Sequence, residues 1–318
     1  LLLYCVKRLI HAAIVVWLVI TVVFFIVRLV PGGPVDALLG ADYTPEAARV
    51  LERRLGLDQP LIVQYGEYLG RTLSLDLGDS VAGGTSVRDM LVEAIPRTLS
   101  LTLIGLVVGL LLAIPLGARA ARRRNRIAGP VSSGVGLIGL SLPTFWLGML
   151  LILLMAVDLG WLPAYGYAPM EEGLGQWLGH ILMPGTCLGL AYAAPLVLIT
   201  RSSMAEALRE PYAQMARAKG LRESVIMAKH VVPNAFIPVI TMAGIHTGGL
   251  LSGAVVTETV FAINGVGRVL VDAITNRDYP AIQGVILLIS VVFVVVNILV
   301  DLLYAVLNPR IRLIGGTA

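Results

Sequence analysis

Six long apolar stretches, separated by polar segments marked with glycine and proline, dominate the pattern of the chain. A helix needs about 20 residues to cross the roughly 30 Å hydrocarbon layer of a bilayer. The stretches near 9–30, 98–118, 132–157, 181–200, 236–257 and 281–304 meet that length. The pattern therefore predicts an all-α, polytopic membrane protein with six transmembrane helices. The fourth stretch, ILMPGTCLGLAYAAPLVLIT, has few large apolar side chains and holds Pro184 and Pro195. Small residues let helices approach closely, so this span is expected to pack among others. The first stretch follows Lys7 and Arg8 and lacks a small-residue cleavage site, which predicts a retained span rather than a removed signal. The organisation that follows is a first helix within 1–30, an insertion at 31–97, a five-helix core at 98–310 and a tail at 311–318.

Two polar segments interrupt this pattern. In 31–97, Thr44-Pro45-Glu46 supplies an N-cap, a proline at the first helical position and an acid in the first turn, and Gly56 supplies a stop. A second helix is expected from Pro60 through Tyr65 and Leu69, with turns at Asp76-Leu77-Gly78 and Gly83-Gly84. The insertion reads either as a small solvated cap or as a surface for a partner. In 201–235, Met204, Leu208, Met215 and Ala218 follow a loose helical spacing, Pro211 breaks it, and Gly220 ends the helix it starts. A second segment, LRESVIMAKHVVP, runs to Pro233, predicting two short helices that meet at a glycine on the membrane surface.

Charge adds an orientation. Only 14% of residues are charged against 57% hydrophobic, where soluble domains carry about 25% charge. Fifteen of the 24 Lys and Arg lie in the termini, in 119–131 (Arg119, Arg122, Arg123, Arg124 and Arg126) and in 201–235. The loops 158–180 and 258–280 hold only Arg268 and Arg277. Positive charge marks the cytoplasmic side, so both termini and 201–235 are expected in the cytoplasm and 31–97 outside. This distribution also accounts for the pI of 9.2, without nucleic acid. Cys5 and Cys187 lie in apolar runs and form neither a disulfide framework nor a metal motif.

The segment 211–235 resembles the coupling signature of binding-protein-dependent ABC importer permeases. The loose family pattern is met at Ala216, Gly220 and Pro233, with Gln214-Met215 and Val232 departing from it. The peptide and nickel branch fits more closely, through Pro211-Tyr212 and Ala216-Arg217-Ala218-Lys219-Gly220-Leu221, followed by Lys229-His230 and Asn234-Ala235. Similar stretches include Arg28-Leu29-Val30-Pro31-Gly32, Gly56-Leu57-Asp58-Gln59-Pro60-Leu61, Leu142-Pro143-Thr144-Phe145-Trp146, Glu258-Thr259-Val260-Phe261, Arg277-Asp278-Tyr279-Pro280 and Asn308-Pro309-Arg310.

The resemblance implies a type I importer permease driven from outside the chain. Its partners would be a second homologous permease, two ATP-binding subunits, an extracytoplasmic solute-binding protein and membrane lipid. Tyr212, Ala216, Arg217, Ala218, Lys219, Gly220 and Leu221 would couple to the motor, with Arg217 and Lys219 facing acids at its rim. No Gly-x-x-x-x-Gly-Lys-Ser/Thr loop is present, so ATP and magnesium are expected on partner subunits, and the chain is expected to be a transport component rather than an enzyme. The implied cargo is a di- or oligopeptide, with nickel, a metal chelate or glutathione as alternatives. An ion-coupled secondary carrier is the remote alternative; such carriers often show internal repeats and midplane acids.

Polar groups at membrane depth default to functional hypotheses. His246, set among Gly244, Gly248, Gly249 and Gly253, reads either as a hydrogen-bonded packing residue or as a lining of the pathway. Pro143 is expected within the third span, where a proline kinks a helix; a kink can serve as a gate or only shape packing, and Pro143 is a pathway candidate on that ground. Asn297 and Asp301, four apart, share a face of the last span; Asn297 is a pathway candidate and Asp301 a structural ion-pair partner. Trp146 and Trp161 read as packing or interface residues. Glu258 and Asp278 flank the 258–280 loop, either clamping its Gly265/Gly267 turn or contacting the solute-binding protein.

Overall fold

The computed structural model describes residues 2–29, 35, 39, 44–54, 56–122 and 142–307, and within them the chain is helical almost throughout. Among the described residues five helices are long and apolar enough to span a membrane, and Thr144–Asp158 is a shorter apolar helix. The first part of the expected third span, 132–141, lies outside the described residues. So do Pro31-Gly32, Arg123, Arg124, Arg126, Asn308-Pro309-Arg310 and the 311–318 tail, and the side chain of Asp301. The chain divides into two compact units, residues 1–97 with 264–295 and residues 98–263 with 296–318.

The first unit begins with α1 (Leu2–Leu29). The Thr44 hydroxyl accepts the Ala47 amide, 3.2 Å, and caps α2 (Pro45–Arg54). Pro60 precedes α3 (Leu61–Leu73). α3 is fixed to the end of α1 by aromatic and polar contacts. Phe24 is fully buried, edge-on to Tyr65 at 5.2 Å and tilted against Tyr68 at 5.5 Å. The Arg28 guanidinium lies 3.5 Å from the centre of the Phe24 ring and donates to Gln64 Oε1 at 3.1 and 2.9 Å. Gln64 in turn donates to the Leu57 and Gln59 carbonyls, closing the turn before α3.

Further along, α4 (Val87–Arg122) starts well before residue 98, where hydropathy alone would begin it. Its first turns are amphipathic, with Val87, Leu91 and Ala94 buried against α10 (Val266–Thr275) and α11 (Tyr279–Leu307) in one apolar cluster. The acids and arginines on the outer face of those turns hide them from a hydropathy window.

Asp278 caps α11. Its carboxylate accepts the Ala281 amide at 3.3 Å, the Ala82 amide at 3.4 Å and the Ser80 hydroxyl, and only 2% of the residue is exposed. The carboxylate is thus engaged by donors inside its own unit. Asp278→Ala leaves those donors without their acceptor. The cost is expected to be about 1–3 kcal/mol, read as a lower midpoint of thermal unfolding in detergent, with Asp278→Asn recovering part of it.

The second unit is built on α6 (Leu174–Ala207), longer at both ends than the expected 181–200 span. α6 packs on the later part of α4 through glycines. A Cβ on Gly109 would stand 2.4 Å from Tyr192 Cδ1, and one on Gly189 would stand 2.8 Å from the Gly105 carbonyl. Leu101, Ile181, Leu188, Leu196, Leu250 and Phe261 fill the core around this seam. Pro143 does not kink a helix. It holds the N-cap of α5 (Thr144–Leu151), which passes into a π-helical segment, Ile152–Asp158. Lacking an N–H and with φ fixed, proline is suited to a helix start, and the residue before it is steered out of the α region.

Candidate functional site

The polar segment after α6 folds into one short helix and the root of a long one. α7 (Pro211–Ala218) has Pro211 in its first turn and Glu210 at its N-cap. The residues after it form α8 (Glu223–Ile226), a π turn at Met227–Val231 and then α9 (Val232–Val260) without a break. The expected second short helix ending at Pro233 is therefore the base of the fifth span. Pro233 sits in the first turn of α9, where its missing N–H interrupts little.

α7 ends in a complete glycine C-cap. Gly220 has φ +76°, its amide donates to the Arg217 carbonyl at 2.9 Å, and the Leu221 amide donates to the Ala216 carbonyl at 3.2 Å. The left-handed conformation is open to glycine and strained for other residues. Arg217 braces the turn from outside. It pairs with Glu223 at 2.8 Å and donates to the Leu208 carbonyl at 3.1 Å, so both neighbours of the glycine turn are tied together. The guanidinium thus has a partner within the chain, where the sequence reading aimed it at a partner's acids. The pair is exposed, and exposed pairs contribute about 0–1 kcal/mol. Arg217→Gln is accordingly expected to leave thermal stability within about 1 kcal/mol of the parent.

The buried face of α7 is made of methyl groups. Ala213 and Ala216 pack with Met204, Ala207, Ile226, Met227, Val231 and Ala235. The loose spacing through Met215 and Ala218 points the wrong way, because both are exposed, Met215 by 62%. Alanine lets α7 lie close to the two long helices, and the larger side chains are turned outward. The exposed face carries Tyr212, Met215, Ala218 and Lys219, with Leu221 beyond the turn. Ala216 is a packing residue. Partial burial raises the Tyr212 phenol above its usual pKa, with the Glu210 charge adding to the shift and Asn234 offsetting part of it. Tyr212 is therefore neutral and able to donate at physiological pH. An amphipathic ledge of this kind, braced on one side and apolar on the other, suits a groove on a second protein.

The other nominated residues are not gathered with it. His246 is half-buried on α9, next in sequence to Thr247, which lies 3.3 Å from the Tyr192 hydroxyl; that hydroxyl donates to the Ala243 carbonyl at 2.7 Å. Two residues before His246, a Cβ on Gly244 would stand 2.2 Å from Val300. Asn297 is half-buried on α11. Glu258 is fully buried and accepts the Thr98 hydroxyl at 2.6 Å. A carboxylate at this depth needs donors from its own fold. The first unit holds a cavity of about 620 Å³ lined by Arg28, Gln64, Tyr68, Arg71, Asp79 and Gln283, and none of the nominated residues borders it. Among the described residues no group of three metal-ligating side chains converges.

Residues 113–313 match the family described as "Binding-protein-dependent transport system inner membrane component", and residues 1–102 match the family described as "Binding-prot-dependent transport system membrane comp, N-term". A dipeptide transport system permease protein, DppB, of Alkalihalophilus pseudofirmus is 36% identical over 329 residues, spanning 97% of this chain and 99% of its own. A glutathione transport system permease protein, GsiC, of Escherichia coli K12 is 39% identical over 309 residues, spanning 97% and 98%. The inward-facing structure of the methionine ABC transporter MetNI aligns with TM-score 0.56 and 19% identity, over 69% of this chain and 96% of that one. That likeness concerns the fold.

Proposed function

This chain belongs to the inner membrane components of binding-protein-dependent transport systems, and on that premise we propose that it forms half of an import path for di- and oligopeptides. It is a multi-pass membrane protein and the permease subunit of an ABC importer. The observation that carries the cargo is the end-to-end similarity to permeases named for a dipeptide and for glutathione, itself a small peptide. Glutathione is the alternative cargo within that class.

ATP-binding and solute-binding partners come with the family. The assembly is completed by a second homologous permease, two ATP-binding subunits that hold ATP and magnesium, and one external binding protein. The distribution of Lys and Arg supports cytoplasmic termini and a cytoplasmic α7, with 31–97 outside. The face of Tyr212, Met215, Lys219 and Leu221 enters a groove of an ATP-binding subunit. ATP shifts the spans between two states because the docked helix is bound differently in each. His246 and Asn297 are assigned to the pathway wall.

The reading is tested in proteoliposomes containing the whole assembly, with a labelled dipeptide supplied through the binding protein. Uptake is expected to require ATP inside and all partners. Uptake that persists without the ATP-binding subunits would sink the reading in favour of a secondary carrier. His246→Ala is expected to change the apparent affinity for cargo or the turnover of uptake by severalfold; unchanged transport removes it from the pathway.

A further inference from the structure

α3 carries two opposite edges, and its contacts with α1 orient them. Residues advance about 100° per position around a helix, which places Ile62, Leu69 and Leu73 in one narrow sector, continued by Gly66. Glu67, Arg71, Ser74 and Gln64 fall on the other side. Ile62 and Leu73 are 81% and 74% exposed, and a Cβ on Gly66 or Gly70 would meet nothing within 4 Å. Ile62 and Leu73 are therefore bare, with Leu69 half-buried between them. Burial falls to Gln64 and Thr72, with Tyr65 and Tyr68 half-buried in the sector between the edges.

The contacts give that bare edge a direction. From the polar side of the sector, Gln64 holds Arg28, at the end of the membrane span Arg8–Arg28. From the apolar side, the Tyr65 hydroxyl lies 2.8 Å from the Thr21 hydroxyl, seven residues deeper in the same span. Seven residues of helix are about 10 Å. Passing around α3 from Gln64 through Tyr65 to Leu69 and Ile62 thus moves from the end of the span toward its interior. The apolar edge points into the bilayer and the polar edge away from it. Beside it, α1 turns Val22, Phe25 and Ile26 outward, all about half exposed, so the bare edge of α3 continues the lipid-facing surface of a span.

We propose that α3 is a membrane-surface helix whose Ile62, Leu69 and Leu73 enter the acyl region of the leaflet in which α1 ends. The occupant of this edge is lipid. An amphipathic helix lying in the interface buries its apolar face by about 5–10 Å, which matches the depth interval between Arg28 and Thr21. The inference rests on α1 being a span and is independent of cargo. Its consequence is that the insertion following the first span is held down on the membrane along one whole helix.

Nitroxide labels test it, placed at Ile62→Cys, Leu73→Cys, Glu67→Cys and Ser74→Cys in turn, with Cys5→Ser and Cys187→Ala as background. The complete assembly is reconstituted in phosphatidylethanolamine–phosphatidylglycerol vesicles. Collision rates with oxygen, which concentrates in lipid, are compared with those of a water-soluble nickel chelate. The oxygen-to-chelate ratio is expected to be severalfold higher at 62 and 73 than at 67 and 74. Equal ratios at all four positions would place both edges in water and overturn the proposal. Protection of 62 and 73 from both reagents would put a protein on this edge instead and overturn it equally. All four positions are exposed, so the labels displace no buried contact.

Discussion

Gly220→Val is expected to cut ATP-driven uptake by roughly tenfold or more, with a parallel loss of the ATP-binding subunits from the purified assembly. The left-handed conformation at φ +76° costs an L-residue about 1–2 kcal/mol, and a β-branched side chain is among the worst placed to adopt it. The strain is relieved by opening the turn, which frees the Ala216 and Arg217 carbonyls and pulls Arg217 from Glu223. The exposed face of α7 is then no longer presented at one angle. Gly220→Asn, which tolerates the left-handed region, should retain most of the activity. Uptake at the parent level in the valine variant would show that the turn is not what presents α7 to the motor.

Gly189→Leu is expected to remove the protein from the membrane fraction altogether. The first carbon of any side chain there lands 2.8 Å from the Gly105 carbonyl and 2.9 Å from Val108 Cβ. Backbone cannot swing aside as a side-chain tip can, so α4 and α6 must separate. Overpacking in a dense interior costs about 1–3 kcal/mol, and more where the obstacle is main chain. Gly189→Ala already brings the Cβ into the same contact and is expected to lower the unfolding midpoint in detergent, with the leucine variant failing to accumulate. Gly249→Ala, where a Cβ meets nothing, serves as the control. Equal expression of the leucine variant would mean that the close seam between α4 and α6 is not required.

Much of this architecture was legible because the physics behind it is local. The length of apolar runs marks the spans, proline and glycine mark where helices start and stop, Thr44-Pro45 caps as its side chains dictate, and Gly220 turns as its missing Cβ allows. What escaped the sequence is tertiary. The turns from Val87 to Arg97 look polar in a window but bury Val87, Leu91 and Ala94 against helices distant in the chain. Met215 obeys a helical period and still faces outward, because two alanines form the tighter contact. Asp278 and Glu258 looked like surface acids beside a loop, and their donors, Ser80 and Thr98, stand some 198 and 160 residues away. The Asp278-Tyr279-Pro280 run did hold a signal for the first of these, since aspartate followed by proline two residues on is a helix start. Nothing comparable in the sequence announced Thr98.

The helical run from Glu223 to Val260 has a carboxylate near each end, and each is fastened to something else. Glu223 pairs with Arg217 of α7 beside the packed contact of Ile226 and Met227 with Ala213 and Ala216, and Glu258 accepts the Thr98 hydroxyl on α4. A run of 38 residues is about 57 Å long, so it acts as a tie rod across the second unit. When the ledge at one end is pushed, a rod clamped at both ends cannot pivot freely; it must flex or slip its far clamp. Flexure is cheapest where regular hydrogen bonding is already interrupted, at the π turn of Met227–Val231 and beside Pro238. Motion arriving from a motor would then be spent as bending in the lower part of the rod, with the Glu258 end held still.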